Sequence, residues 1–291
     1  MKIIVTGANG MLGKDLVPLL AANHDVIALS RAECDITNPS VVDTLIRKNA
    51  PNLIINCAAF TDVDGCEREP EKAFAVNAAG AGHIARAASV AGARLFHIST
   101  DYVFDGMKST PYNENDATNP ISVYGQSKLQ GEQLVLQQNW TASSPLILRT
   151  AWLYGLQGSN FVEKILAAAQ SGRDLKVVAD QRGCPTWTMH LAGKIVELIT
   201  TAADGILHVA NSGNCSRFEF AQAIVARLPN PVKVTPVDTS HANRPARRPP
   251  CSILDCSRLE SLGLKKLPDW KSALEDYFRS RKESFAESLV K

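Results

Sequence analysis

The segment TGANGMLG, residues 6–13, follows an apolar run at the N-terminus and leads into an aliphatic stretch of helical character. No other feature restricts the fold as tightly. Gly7, Gly10 and Gly13 each answer a separate steric need. Gly7 permits a tight turn, Gly10 lets the backbone approach a pyrophosphate, and Gly13 lets the helix lie close to the strand. The helix N-terminus adds free amides and a positive dipole end. Glycine triplets alone mean little, but at a strand-to-helix junction they predict a dinucleotide-binding βαβ unit.

The next segments repeat that rhythm. Short apolar runs KIIVT, DVIALS, NLIIN, RLFHIS and LILRT alternate with helical patterns, as parallel strands covered on both faces require. Asn38 before Pro39 reads as an N-cap with proline at the first helical position, and Pro70 opens a long alanine- and glycine-rich helix. The fold class is therefore α/β: a doubly wound, mostly parallel Rossmann sheet with a smaller C-terminal α/β substrate lobe. Residues 1–152 form the dinucleotide-binding domain and 153–291 are mainly the lobe, with 187–210 returning to the first domain. The second half reads as a helix near 160–171, a strand LKVVA, a loop DQRGCPT, a helix near 188–202 and a strand GILHVAN. Ser216 and Glu219 then form a capping box, and a proline- and arginine-rich loop, 236–250, leads to short terminal helices.

Composition narrows the function classes. The 291 residues carry a net charge of +2, which gives no ground for nucleic-acid or membrane binding. No apolar run approaches the roughly 18 residues of a bilayer span, and MKIIVTGANG reads as a strand and a turn, not as a signal peptide. The seven cysteines form no CxxC pair and no zinc spacing, so they read as reduced thiols of a cytoplasmic protein.

Tyr124 and Lys128, in YGQSK, stand one helical turn apart after the fourth βα unit. An ordinary phenol, with a pKa of about 10, serves poorly as acid or base near neutrality. A neighbouring ammonium favours the phenolate, and lowering the pKa by roughly 3 units needs about 4 kcal/mol of differential interaction. Tyr124 is then the candidate proton donor to a carbonyl oxygen, and Lys128 a ligand of the nicotinamide ribose. STDYVFDG, residues 99–106, closes the fourth strand, and Thr100 is placed to hydrogen-bond the same carbonyl. Beyond the second strand, Arg31 favours the 2′-phosphate of NADPH over NADH, with Glu33 and Asp35 slightly later.

TGANGMLG, STDYVFDG and YGQSK together resemble the extended short-chain dehydrogenase/reductase superfamily. NCAAFTDVDGCE (56–67), RTAWLYG (149–155), Asn160-Phe161, DQRGCPT (180–186) and RRPPCSILD (247–255) narrow the resemblance to the dTDP-4-dehydrorhamnose reductase family, along nearly the whole chain. That resemblance implies NAD(P)H-dependent reduction of dTDP-4-dehydro-β-L-rhamnose to dTDP-β-L-rhamnose, with a nucleotide sugar as the small-molecule partner. It implies a catalytic trio of Thr100, Tyr124 and Lys128. Cofactor contacts fall on Gly10, Met11 and Leu12, on Asp35 and Ile36, and on Ala58, Ala59 and Phe60. Thr100, Asp101 and Trp152 match positions that hold the sugar nucleotide, and an indole offers a flat face to a sugar or base. Arg248, in the basic loop, is a candidate for the diphosphate.

Some family members hold Mg2+ at a dimer interface through glutamates. The matching position in the first helix is Asp15, and near TWTMHLAG the nearest ligand is His190, so the sequence does not support a metal; a homodimer stays open. Two rivals remain. One is another nucleotide-sugar reductase or epimerase; a dehydratase is disfavoured because Tyr102 follows Asp101 where an acidic partner is needed. The other is a non-enzymatic subunit resembling the beta subunit of methionine adenosyltransferase.

Overall fold

Six parallel strands form the centre of a computed structural model of the chain, which describes residues 1–141, 143–241 and 243–290, with side chains described through Glu283. The first half runs β1 (Lys2–Thr6), α1 (Met11–Ala21), β2 (Asp25–Leu29), α2 (Pro39–Asn49), β3 (Leu53–Asn56), α3 (Val63–Arg68) and α4 (Pro70–Phe74). A π-helical segment, Ala75–Gly80, joins α4 to α5 (Ala81–Ala91). Next come β4 (Arg94–Thr100), α6 (Val123–Leu136) and β5 (Leu146–Thr150). The second half runs β6 (Leu153–Tyr154), α7 (Phe161–Gln170), β7 (Leu175–Val178), β8 (Arg182–Gly183), β9 (Thr186–Trp187), α8 (Thr188–Ile199) and β10 (Gly205–His208). It ends with β11 (Asn211–Ser212), β12 (Cys215–Ser216), α9 (Arg217–Val225), β13 (Val234–Val237), α10 (Arg258–Ser261), β14 (Leu267–Asp269) and α11 (Trp270–Val290).

The sheet order is β10-β5-β4-β3-β1-β2, and every pairing within it is parallel. Winding reverses between β1 and β3, so a crevice opens at their carboxyl ends, where ligands of such sheets bind. Strand residues such as Ile3, Ile4, Ile54, Ile55, Leu95 and Phe96 are sealed because helices cover both faces. One face packs on α1 and α8, the other on α2 and α5. β10 pairs with β5, so residues 188–208 come back to the sheet after the chain has left it.

Local signals explain most boundaries. Asn38 caps α2 by accepting from the amides of Ser40 and Val41, with Pro39 at the first position. Ser216 and Glu219 close a reciprocal capping box on α9. The lobe has its own core, in which Tyr154, Phe220, Trp270 and Tyr277 meet edge to face or tilted. Two expectations need correction. The first two residues of the segment read as a loop, 236–250, belong to a strand, β13, which pairs in parallel with the expected strand LKVVA. The C-terminus is one short helix, α10, and one of 21 residues, α11, whose apolar side completes the lobe core through Trp270, Ala273, Leu274 and Tyr277.

Candidate active site

The glycine turn is built as its sequence demands. Gly7 holds φ +67°, and a Cβ there would stand 2.6 Å from the amide nitrogen of Ala58, so the turn lies flush against the exit of β3. Gly10 is the N-cap of α1, and Gly13 packs on the backbone of Gly7 and Ala8. No side chain caps α1 and no acidic residue sits in its first turn, which leaves the amides from Met11 onward available to an anion. Leu12 is buried, so only its backbone can face a ligand, while Met11 is partly exposed.

Arg31 lies just past β2, exposed and in no ion pair among the described residues. Asp35 accepts from the amide and hydroxyl of Thr37 (3.0 and 2.8 Å), which hold its carboxylate below its usual range. Ile36 is buried against the π-segment at Gly80. Ala58, Ala59 and Phe60 are partly exposed along the crevice, and Asn77 fixes the last of them: it donates to the carbonyl of Phe60 (3.0 Å), accepts from the Phe60 amide (2.7 Å) and donates to Ser127 (3.0 Å). A π-bulge thus ties the β3 exit to α6.

α6 starts at the N-cap Ser122, whose hydroxyl accepts from the amide of Gly125. Gly125 has no room for a Cβ, because the carbonyl of Tyr102 lies against it, so the first turn of α6 presses onto the end of β4. Tyr124 is thereby set edge-on to Tyr102, with ring centroids 5.6 Å apart. Burial raises the pKa of the Tyr124 phenol; the Thr100 hydroxyl works against this, and Asp101, Tyr102 and Cys66 add to it. The expected depression by Lys128 is therefore corrected: in the protein alone the phenol is held protonated. Lys128, 2% exposed, turns its ammonium to the carbonyl of Ile98 (2.6 Å) and to Nε2 of His97 (3.4 Å). Burial pushes it down to about 8 against the pull of Glu132 and Cys57.

Thr100 accepts from the amide of Tyr102, capping a 3-10 turn, and donates to Asp101 (3.0 Å). Asp101 is sealed: Ser252 donates to its other oxygen at 2.5 Å, and burial raises the carboxyl to about 6. Trp152 is partly buried and stacked on one residue the sequence did not pair with it. Its backbone sits at φ +46°, strained for a bulky residue. The guanidinium of Arg217 stacks 3.4 Å from its ring centroid, and the backbone of Gly183 presses against the indole, so the ring is already covered. Arg248 is likewise occupied, donating to Asp64 of α3 at 2.9 Å beside Arg244 (3.3 Å), and this fastens the basic loop to the first domain. Arg217, which the sequence did not single out, has a guanidinium that acts electrostatically on Asp101 and Tyr102, and it forms no ion pair with a carboxylate among the described residues. Its position directly after the capping serine makes it look like a solvent-facing helix residue.

The two positions considered for a metal are engaged with other side chains. Asp15 accepts a short hydrogen bond from Thr188 and burial raises its carboxyl, while His190 lies 3.5 Å from Asp276. No group of three or more candidate ligands exists among the described residues. Nor does any described helix have the length and apolarity to cross a membrane.

Comparison with known proteins sets this geometry among relatives. A model of the family described as "RmlD substrate binding domain" matches residues 1–282. A dTDP-4-dehydrorhamnose reductase of Mycolicibacterium smegmatis is 42% identical over 280 residues, covering 94% of this chain and 84% of that protein. A probable dTDP-4,6-dihydroxy-2-methyloxan-3-one 4-ketoreductase of Streptomyces antibioticus is 41% identical over 287 residues, covering 96% of this chain and 95% of that one. The crystal structure of a dTDP-4-dehydrorhamnose reductase from Bacillus anthracis in complex with NADP superposes with a TM-score of 0.92 at 40% identity, over 96% of this chain and 99% of that one.

Proposed function

The chain belongs to the RmlD substrate binding domain family, and from that premise we propose that it is an NAD(P)H-dependent oxidoreductase that reduces the 4-keto group of dTDP-4-dehydro-β-L-rhamnose to dTDP-β-L-rhamnose, the last step of dTDP-L-rhamnose synthesis. One observation carries the reading. The Cys57–Ala58 backbone touches the glycine turn, and Asn77 bonds both Phe60, on the same β3 exit, and Ser127 of the Tyr–Lys helix. Dinucleotide cradle and Tyr–Lys helix therefore share one crevice.

The nicotinamide cofactor supplies the hydride when bound. Gly7, Gly10 and the first amides of α1 would cradle its pyrophosphate, and Lys128 would meet its ribose. Tyr124 gives its proton to the carbonyl oxygen as that oxygen gains charge. A reductase needs a protonated phenol at the start of each turnover, which the raised pKa provides. Thr100 orients the carbonyl, Asp101 holds Thr100, and Arg217 takes the diphosphate role expected of Arg248, with Trp152 as the platform beneath it.

The test is NADPH oxidation followed by absorbance with the ketosugar nucleotide, and identification of the product by NMR. Turnover with stoichiometric cofactor consumption supports the reading. Conversion without net oxidation would indicate an epimerase, and no conversion would leave a binding subunit. The Streptomyces antibioticus relative supports a second reading, reduction of a different dTDP-4-ketosugar; it prevails if that substrate gives the higher kcat/KM.

Two substitutions probe the ends of the crevice. Arg31→Ala should weaken NADPH roughly 10- to 100-fold, the scale of a charge-assisted hydrogen bond, and leave NADH nearly unchanged in fluorescence titrations. Equal losses would remove Arg31 from the 2′-phosphate. Arg217→Met should raise KM for the sugar nucleotide about tenfold or more with a smaller change in kcat, the pattern of lost uniform binding. A larger KM effect from Arg248→Met would return the diphosphate to the 236–250 loop.

A further inference from the structure

His97 lies in the middle of β4, 1% exposed, below the crevice floor. Its neighbours determine which ring nitrogen holds the proton. The side-chain oxygen of Asn56 accepts from the backbone amide of Ala58 (3.2 Å) and from the hydroxyl of Thr6 (2.7 Å). A backbone N–H can only donate, so that oxygen is fixed and the amide nitrogen of Asn56 must face Nδ1 of His97, 3.1 Å away. Nδ1 therefore accepts. A neutral imidazole then carries its proton on Nε2, the nitrogen that stands 3.4 Å from Nζ of Lys128. Burial, with the lysine charge adding to it, holds His97 well below the usual histidine range, so the ring stays neutral.

Building on the reading of Lys128 as part of the reductase site, we propose that the Thr6–Asn56–His97 chain is a positioning device for that lysine, in which His97 presents an N–H rather than a lone pair to Nζ and biases it toward the neutral amine. An ammonium has only donors, and two donors face each other unfavourably. An amine can accept from Nε2 while still donating to the carbonyl of Ile98 at 2.6 Å. Of the two other groups that act on Lys128, the Glu132 carboxylate opposes this bias. Glu132 lies one turn further along α6, with its carboxylate engaged by Arg149 of β5 and Ser99 of β4. Cys57 enters from the exit of β3, and burial lifts its thiol to about 12, which leaves it neutral. Lys128 thus gains and loses its proton in mildly alkaline solution, within reach of turnover, whereas an ordinary lysine titrates near 10.4. His97 touches neither substrate nor hydride; it acts through Lys128.

The test compares wild type with His97→Leu and His97→Gln by following the lysine 13Cε resonance against pH, assigned with Lys128→Met. In His97→Leu the Lys128 midpoint should rise by about one pH unit. In His97→Gln, whose amide N–H can stand where Nε2–H stood, it should remain near the wild-type value. The alkaline limb of kcat/KM for ketosugar reduction should move with the midpoint. An unshifted midpoint in His97→Leu, or an equal rise in both variants, overturns the proposal. Should neither variant fold, 15N shifts of His97 in the wild-type protein decide: the Nε2–H tautomer supports the proposal, and the Nδ1–H tautomer sinks it. None of these titrations needs turnover, so a protein inactive on the ketosugar would defeat the functional reading and leave this one to be judged separately.

Discussion

Tyr124→Phe should lower kcat for ketosugar reduction by about a hundred- to ten-thousandfold, the range for loss of a positioned general acid, while NADPH binds as before. The ring survives in the variant and keeps its edge contact with Tyr102, so packing is preserved and only the proton is lost. In wild type the pH profile should be flat through neutrality. Tyr124 sits above the ordinary phenol range and stays protonated there, and Lys128 remains largely charged below about 8. The rate should then fall as pH rises through about 8, where the lysine charge that steadies a developing phenolate disappears. Near-normal kcat in the phenylalanine variant would reassign the proton donor, with Thr100 the next hydroxyl in line.

Much of the fold is legible in the chain because its strands are short, apolar and sealed on both faces, so a continuous run such as LIIN can hardly be anything else. The glycine turn is legible because φ +67° at Gly7 and the contact of Gly7 with Ala58 leave no tolerance for a side chain. What stays hidden are partnerships made across long separations. His97 reads as one more residue of a strand, and only the sheet register, which sets it opposite Asn56, gives it a role. Arg217 and Trp152 belong to segments 65 residues apart, and nothing local says that they stack. Arg248 is a similar case: a guanidinium in a basic loop suggests a phosphate ligand, and nothing local says that Asp64, far away in sequence, pairs with it. One partnership does leave a local signal. Glu132 follows Tyr124 and Lys128 at the same four-residue step, which puts all three on one face of α6.

That third residue carries the second large effect. Glu132 and Arg149 form a two-pronged ion pair (2.9 and 2.7 Å) with side chains 2% and 3% exposed, and Ser99 donates to the same carboxylate at 2.5 Å. Breaking such a pair from one side leaves a buried charge without compensation. Arg149→Leu should therefore cost about 3–5 kcal/mol in urea unfolding, whereas removing both charges in Glu132→Leu/Arg149→Leu should cost clearly less than the sum of the single variants. The single variant should also act on the site. A carboxylate freed from arginine has Lys128, one turn back on the same helix, as its nearest cation. That stronger attraction should raise the Lys128 midpoint and carry the alkaline limb of the rate upward with it. A loss below about 1 kcal/mol in Arg149→Leu, the scale of an exposed pair, would mean that Ser99 and Lys128 already satisfy Glu132 and that the arginine only fills space between β5 and Phe104. Stability and pH profile thus read the same buried carboxylate from opposite ends.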